Sequence, residues 1–194
     1  MTVMFPPPLG RFSRSEVYIP GGTSLAELDI ALKNMNRIER APLTQEVTPA
    51  VIEFRSKIMA LEDKLREIPS AMDYSVTHKD PYPLVHRFAD GVYAREITIP
   101  AGHVVCGEIH KYDHISIITK GRVVVYTEEG TIVHTAPSTW ISPKGTKRAL
   151  LTLEETVWTT FHKMEEIPLE DIRTALTVPS FEAFEALMLE EHRS

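Results

Sequence analysis

Cysteine is almost absent from this chain. Its 194 residues include one, Cys106, so no internal disulfide forms and a reducing compartment suits it. The same lack excludes the cysteine pairs of zinc ribbons. Glycine is sparse, at nine residues. None of the glycine patterns of a P-loop, a dinucleotide fold or a hydrolase nucleophile elbow occurs, which removes those enzyme classes in their usual forms. Basic charge is also short. Lys and Arg number 21 against 27 Asp and Glu, for a formal net charge of −6. A protein driven onto nucleic acid by phosphate neutralisation needs the opposite balance. No apolar run is long enough to span a bilayer. The opening MTVMFPPPLGRF lacks the apolar core of a signal peptide. The expectation is a soluble cytoplasmic protein that engages neither membrane nor nucleic acid.

What is present falls into three regions: 1–79, 80–164 and 165–194. In the first, FPPPLG is stiff and extended because each proline fixes φ. Ser24 and Glu27 have capping-box spacing, and Leu25, Leu28, Leu32, Met35 and Ile38 then step by three and four, which predicts a helix. A second helix is marked by Thr48 as N-cap and Pro49 at the first helical position. Val51, Phe54, Ile58, Leu61, Leu65 and Ile68 form its stripe, and Pro69 closes the run. That stripe either packs on the chain's own barrel, seals a contact between copies or holds another protein.

In the second region the apolar period changes from 3.6 to 2. Eight short β-branched and aromatic runs begin at VYAREITIPAG and end at TVWTTFH, separated by glycine turns. That is the pattern of an antiparallel sandwich or barrel. The third region is helical again, with Pro168 and Ser180 at two helix starts.

The stretch GEIHKYDHISIITKG, Gly107 to Gly121, concentrates the chemistry. Residues two apart in a strand share a face, so Glu108 and His110 are expected to point together. A turn brings His114 back beside them. Two imidazoles and a carboxylate suit a divalent transition metal. The alternative for His110 and His114 is a pair of structural histidines at the barrel lip, and for Glu108 an ion pair with Arg148. His162, at the end of the last run, has the parity of Trp158 and Thr160 and is a further candidate ligand. Asp113 is expected to serve the turn, and Cys106 to be a small core residue.

These residues resemble the first motif of the cupin superfamily: Gly102, five residues, Glu108-x-His110, three residues, His114, six residues, Gly121. The spacing matches throughout, while Glu108 stands where that family has histidine and His114 where it has glutamate. Pro143-Lys144-Gly145 resembles the second motif, with Arg148 at the position of its histidine ligand. The resemblance implies a mainly β fold, a cupin-type double-stranded jelly-roll barrel with an N-terminal helical region and C-terminal helices. It implies one divalent transition metal, Fe, Mn, Ni or Zn, held by His110, His114 and Glu108, with His162 the candidate substitute for the missing fourth ligand. An arginine cannot ligate, so Arg148 is expected to bind an anionic ligand instead, with Trp158 lining its cavity. The chain is also similar to small cupin-domain proteins of tailed bacteriophages, which implies a homo-oligomeric structural or ligand-binding module, a virion component for example. In that setting the N-terminal helices meet a protein partner. The alternative is a metal-dependent oxygenase or isomerase acting on a small anionic molecule. The residues of its catalysis are not readable from the sequence.

Overall fold

The computed structural model describes residues 47–73 and 80–191. The helix expected from Ser24, and His78 and His192, lie outside them. The element order is α1 (Pro49–Arg66), ten strands β1 (Leu84–Ala89), β2 (Val92–Ile99), β3 (Val104–Cys106), β4 (Ile109–His110), β5 (His114–Lys120), β6 (Arg122–Thr127), β7 (Gly130–Thr135), β8 (Ser138–Ser142), β9 (Ala149–Thr152) and β10 (Thr156–Lys163), then α2 (Leu169–Leu176), β11 (Thr177–Val178) and α3 (Phe181–Glu191).

Two antiparallel sheets face each other. One runs β1-β2-β10-β5-β8, the other β3-β9-β6-β7. Setting β1 aside, the chain passes between the two sheets at nearly every connection, so that β5 and β6, and β9 and β10, are sequence neighbours in opposite sheets. Eight strands wound in this order are a double-stranded jelly roll. The eight runs legible in the sequence are these eight strands. β1 is an added edge strand, paired with β2 from Leu84↔Ile97 to Ala89↔Val92.

Alternation sets the interior. On β5, His114, Ser116 and Ile118 are buried while Ile115 is exposed. The register Ser116↔Thr160 and Ser116↔Trp140 then aligns the inward residues of β10 and β8 with them. Ile99, Ile118, Val123, Val125, Leu150 and Trp158 make the apolar centre between the sheets.

α1 and α3 cover the outside of the four-stranded sheet, while Ile172 and Leu176 of α2 pack with Tyr93 of β2. Thr48 caps α1 by accepting from the Val51 N–H at 3.4 Å. Phe54 and Ile58 of α1 are buried with Ala149, Phe181 and Phe184, and Cys106 and Tyr126 pack on the group. The α1 stripe therefore seats on its own barrel, as far as Leu61; Ile68 is exposed. Burying Phe54 and Ile58 contributes about 2 kcal/mol each. Arg55 ties the two helices, donating to Glu185 at 2.7 Å with its guanidinium 4.3 Å from the Phe181 ring centre.

Gly121 is where the chain leaves one sheet for the other. Its φ is +90°, and a Cβ there would overlap the carbonyl of Glu155 and the backbone of Thr156. Backbone cannot swing aside as a side-chain tip can. Gly121→Ala is expected to cost about 3 kcal/mol or more in equilibrium unfolding, combining positive-φ strain with steric displacement. A loss under 1 kcal/mol would mean that this crossing is soft.

Candidate metal centre

Three histidines from three elements meet inside the barrel. His114 opens β5 on its inward side. His162 sits near the end of β10, whose Phe161 pairs with Ile115 and whose His162 pairs with Tyr93. His110 comes from β4, a two-residue strand pinned from both sides. Its carbonyl accepts from the Gly145 N–H at 2.8 Å, and it pairs with Thr177 of β11. Ring centroids lie 4.3 Å apart for His110–His114, 4.7 Å for His114–His162 and 5.4 Å for His110–His162. One ring nitrogen from each lies within 4.8 Å of the others. Nitrogens on one ion at bonds of about 2.0–2.1 Å are somewhat closer, so ring shifts of roughly an ångström complete a site. No second group of this kind occurs among the described residues.

Electrostatics hold the rings neutral. Burial lowers the pKa of His114 to about 3 and that of His162 to about 4, with Arg148 adding to both. His110 is driven well below its ordinary value, first by burial and then by His114 and Arg148. A metal takes the neutral imidazole, so the three rings are in the protonation state that a metal ligand needs. His114 Nδ1 faces the Tyr112 carbonyl at 3.3 Å. A proton on that nitrogen leaves the Nε2 lone pair directed inward, and a hydrogen bond of this kind to a backbone carbonyl orients metal-bound histidines. Nε2 of His114 and Nδ1 of His110 are buried with no hydrogen-bond partner. Orphaned buried acceptors are costly. A cation among them removes that cost, so the residues present fit a metal.

Glu108 does not join them. The expected parity fails because β3 ends at Cys106, and the Gly107 N–H turns to the Arg148 carbonyl at 2.8 Å. The Glu108 carboxylate accepts from Arg173 Nε at 2.6 Å and from the Thr177 hydroxyl at 3.3 Å. Its ion-pair partner is thus on α2, not Arg148. Asp113 also departs from its expected part: it accepts from the Lys144 N–H at 2.8 Å, linking two loops rather than its own turn.

Arg148 lies 8% exposed inside the barrel and donates from Nη1 to Ser142 Oγ at 3.0 Å. Burial lowers its pKa to about 10. Its guanidinium stands 5.7 Å from the ring centre of Trp158, which meets Trp140 edge to face at 5.1 Å. Beside it is a cavity of about 170 Å³ whose walls include Val125, Ile132, His134, Trp140, Ser142 and Arg148. His134 stacks on Trp140 at 3.9 Å and lines this cavity. Period-2 parity with Ile132 was the signal that could have placed it.

No protein-family model matches the chain, and no curated protein matches it in sequence. Its fold is similar to those of solved cupin-domain proteins. A cupin-2 domain protein from Shewanella frigidimarina is 12% identical over 48% of this chain and 94% of its own, with a TM-score of 0.38. A cupin domain from Bordetella pertussis is 19% identical over 45% of this chain and 98% of its own, at 0.36. A cupin superfamily protein from Desulfitobacterium hafniense is 12% identical over 67% of this chain and 100% of its own, at 0.37. No helix among the described residues is long and apolar enough to cross a membrane.

Proposed function

We propose that this protein is a ligand-binding jelly-roll module built around a divalent transition-metal centre of His110, His114 and His162. The observation that carries the reading is the convergence of three neutral imidazoles, two with orphaned ring nitrogens. An all-imidazole set suits zinc, iron, nickel or copper, and does not suit calcium or magnesium, which take oxygen. When bound, such a metal supplies Lewis acidity toward an oxygen donor of the ligand. The chain's own residues exclude water, hold the rings unprotonated and present Arg148 to negative charge. Three protein ligands leave coordination positions open, as catalytic sites do. That favours, as the second reading, a metal-dependent enzyme acting on a small anion.

Elemental analysis and zinc titration of protein purified without chelator test the centre. About one equivalent of transition metal is expected. Glu108→Gln is expected to bind zinc within twofold of wild type and to cost under 1 kcal/mol, since its ion pair is partly solvated. Uptake below a tenth of an equivalent, before and after soaking, would falsify the centre. An enzyme differs from a binding module in consuming the ligand over multiple turnovers.

A further inference from the structure

Arg148 is a cation without a counter-ion. No acidic side chain among the described residues pairs with it, and the Ser142 hydroxyl is its one hydrogen-bond acceptor. Glu128, on the cavity wall, lies 3.7 Å from Arg55 Nε of α1. Ser142 is itself shared with Ser116 at 2.9 Å. The guanidinium has five donors in a planar fork, so most remain to be used. Trp158, expected to line this cavity, instead lies in the apolar centre between the sheets, 4% exposed, and Trp140 forms the wall. A guanidinium fork opening on a cavity asks for oxygen carrying negative charge.

The cavity constrains what brings it. At roughly 30 Å³ per water-sized group, the space beside Arg148 holds on the order of six non-hydrogen atoms. Val125, Ile132, Ile141 and the Trp140 face give it apolar walls. A planar two-oxygen head against the arginine fork, with a short apolar body behind it, fits this shape.

We propose that Arg148, in the wall of this cavity, forms a subsite for the carboxylate of a small organic acid. This deepens the metal reading and rests on it in one respect. His114 is the cross-strand partner of Ser142, to which Arg148 donates at 3.0 Å, so a bound carboxylate screens the guanidinium from a cation on the histidines and the two bind cooperatively.

Propionate titrated into the full chain tests it, followed through the indole N–H resonances of Trp140 and Trp158. One indole resonance is expected to shift saturably in metal-stripped protein. With zinc loaded, propionate is expected to bind several-fold more tightly. Arg148→Met is expected to weaken propionate roughly tenfold or more, while zinc binding is kept or tightened. Arg148→Lys, which keeps the charge and loses the fork, is expected to fall between, and it serves if the methionine variant does not fold. Equal propionate binding by wild type and both variants, or no indole shift, overturns the subsite. Arg148-dependent binding of inorganic phosphate but not propionate overturns the assigned ligand class. If zinc fails to bind while propionate still binds through Arg148, the subsite stands and the metal centre falls. If zinc binds and propionate does not, the subsite falls alone.

Discussion

His114→Ala abolishes the zinc-dependent rise in thermal stability while leaving the metal-free protein folded; that is the expected result of removing one of three ligands. The ring has two roles to lose. Its Nδ1 contact with the Tyr112 carbonyl fixes its orientation, and its Nε2 is the orphaned acceptor. With three protein ligands in all, deletion of one should lower zinc affinity on the order of a thousandfold, a fair share of the 10–16 kcal/mol that full structural sites supply. The metal-free fold loses little, because the alanine also removes an unsatisfied buried nitrogen. Zinc at a hundred times its Kd stabilises wild type by about 2.7 kcal/mol. Melting curves with and without zinc therefore separate the two roles. Should the variant gain as much from zinc as wild type does, His114 is not a ligand.

Metal-free protein is expected to lose stability steeply as pH falls from 6.5 to 5. His114 and His162 have folded pKa values of about 3 and about 4, and His110 is also well below its ordinary value of 6.5. Burial is the first cause for each, and the Arg148 and Arg95 guanidiniums push the same way for His110 and His162. A depressed folded pKa means that the unfolded chain takes up protons the folded one refuses. Stability present above the unfolded pKa of 6.5 is thus withdrawn as pH drops below it. His114 and His162 cost about 1.6 kcal/mol each across that window, about 3 kcal/mol together, and His110 acts in the same direction. That is a large part of the stability of many domains. Urea unfolding at pH 7, 6 and 5 measures it, and His114→Ala should flatten the slope by about a third. A flat profile would mean that the rings take protons in the folded state. Bound zinc deepens the acid dependence, since its ligands must first be deprotonated.

The barrel was legible because each core strand is an alternating run closed by a turn residue, and alternation is a local property. β1 was not, because LVHRFA mixes His86 and Arg87 into an edge strand that buries little. His110, His114 and His162 could be named singly from parity. Their meeting depends on β5 and β10 being neighbours across a long stretch of chain, which no local pattern encodes. Glu108 misled because parity was carried through Gly107, where the strand stops. Its true partner, Arg173, is 65 residues away on a helix.

The helical cover on the four-stranded sheet has a consequence for biosynthesis. Arg55 and Glu185, which meet there, are 130 residues apart. At about 5–20 residues per second on the ribosome, α1 waits on the order of ten seconds for α3 to be made. Through that interval Phe54 and Ile58 lack the phenyl rings that will enclose them. The outer layer of the four-stranded sheet is therefore the last part of this domain to close, long after α1 itself has been made.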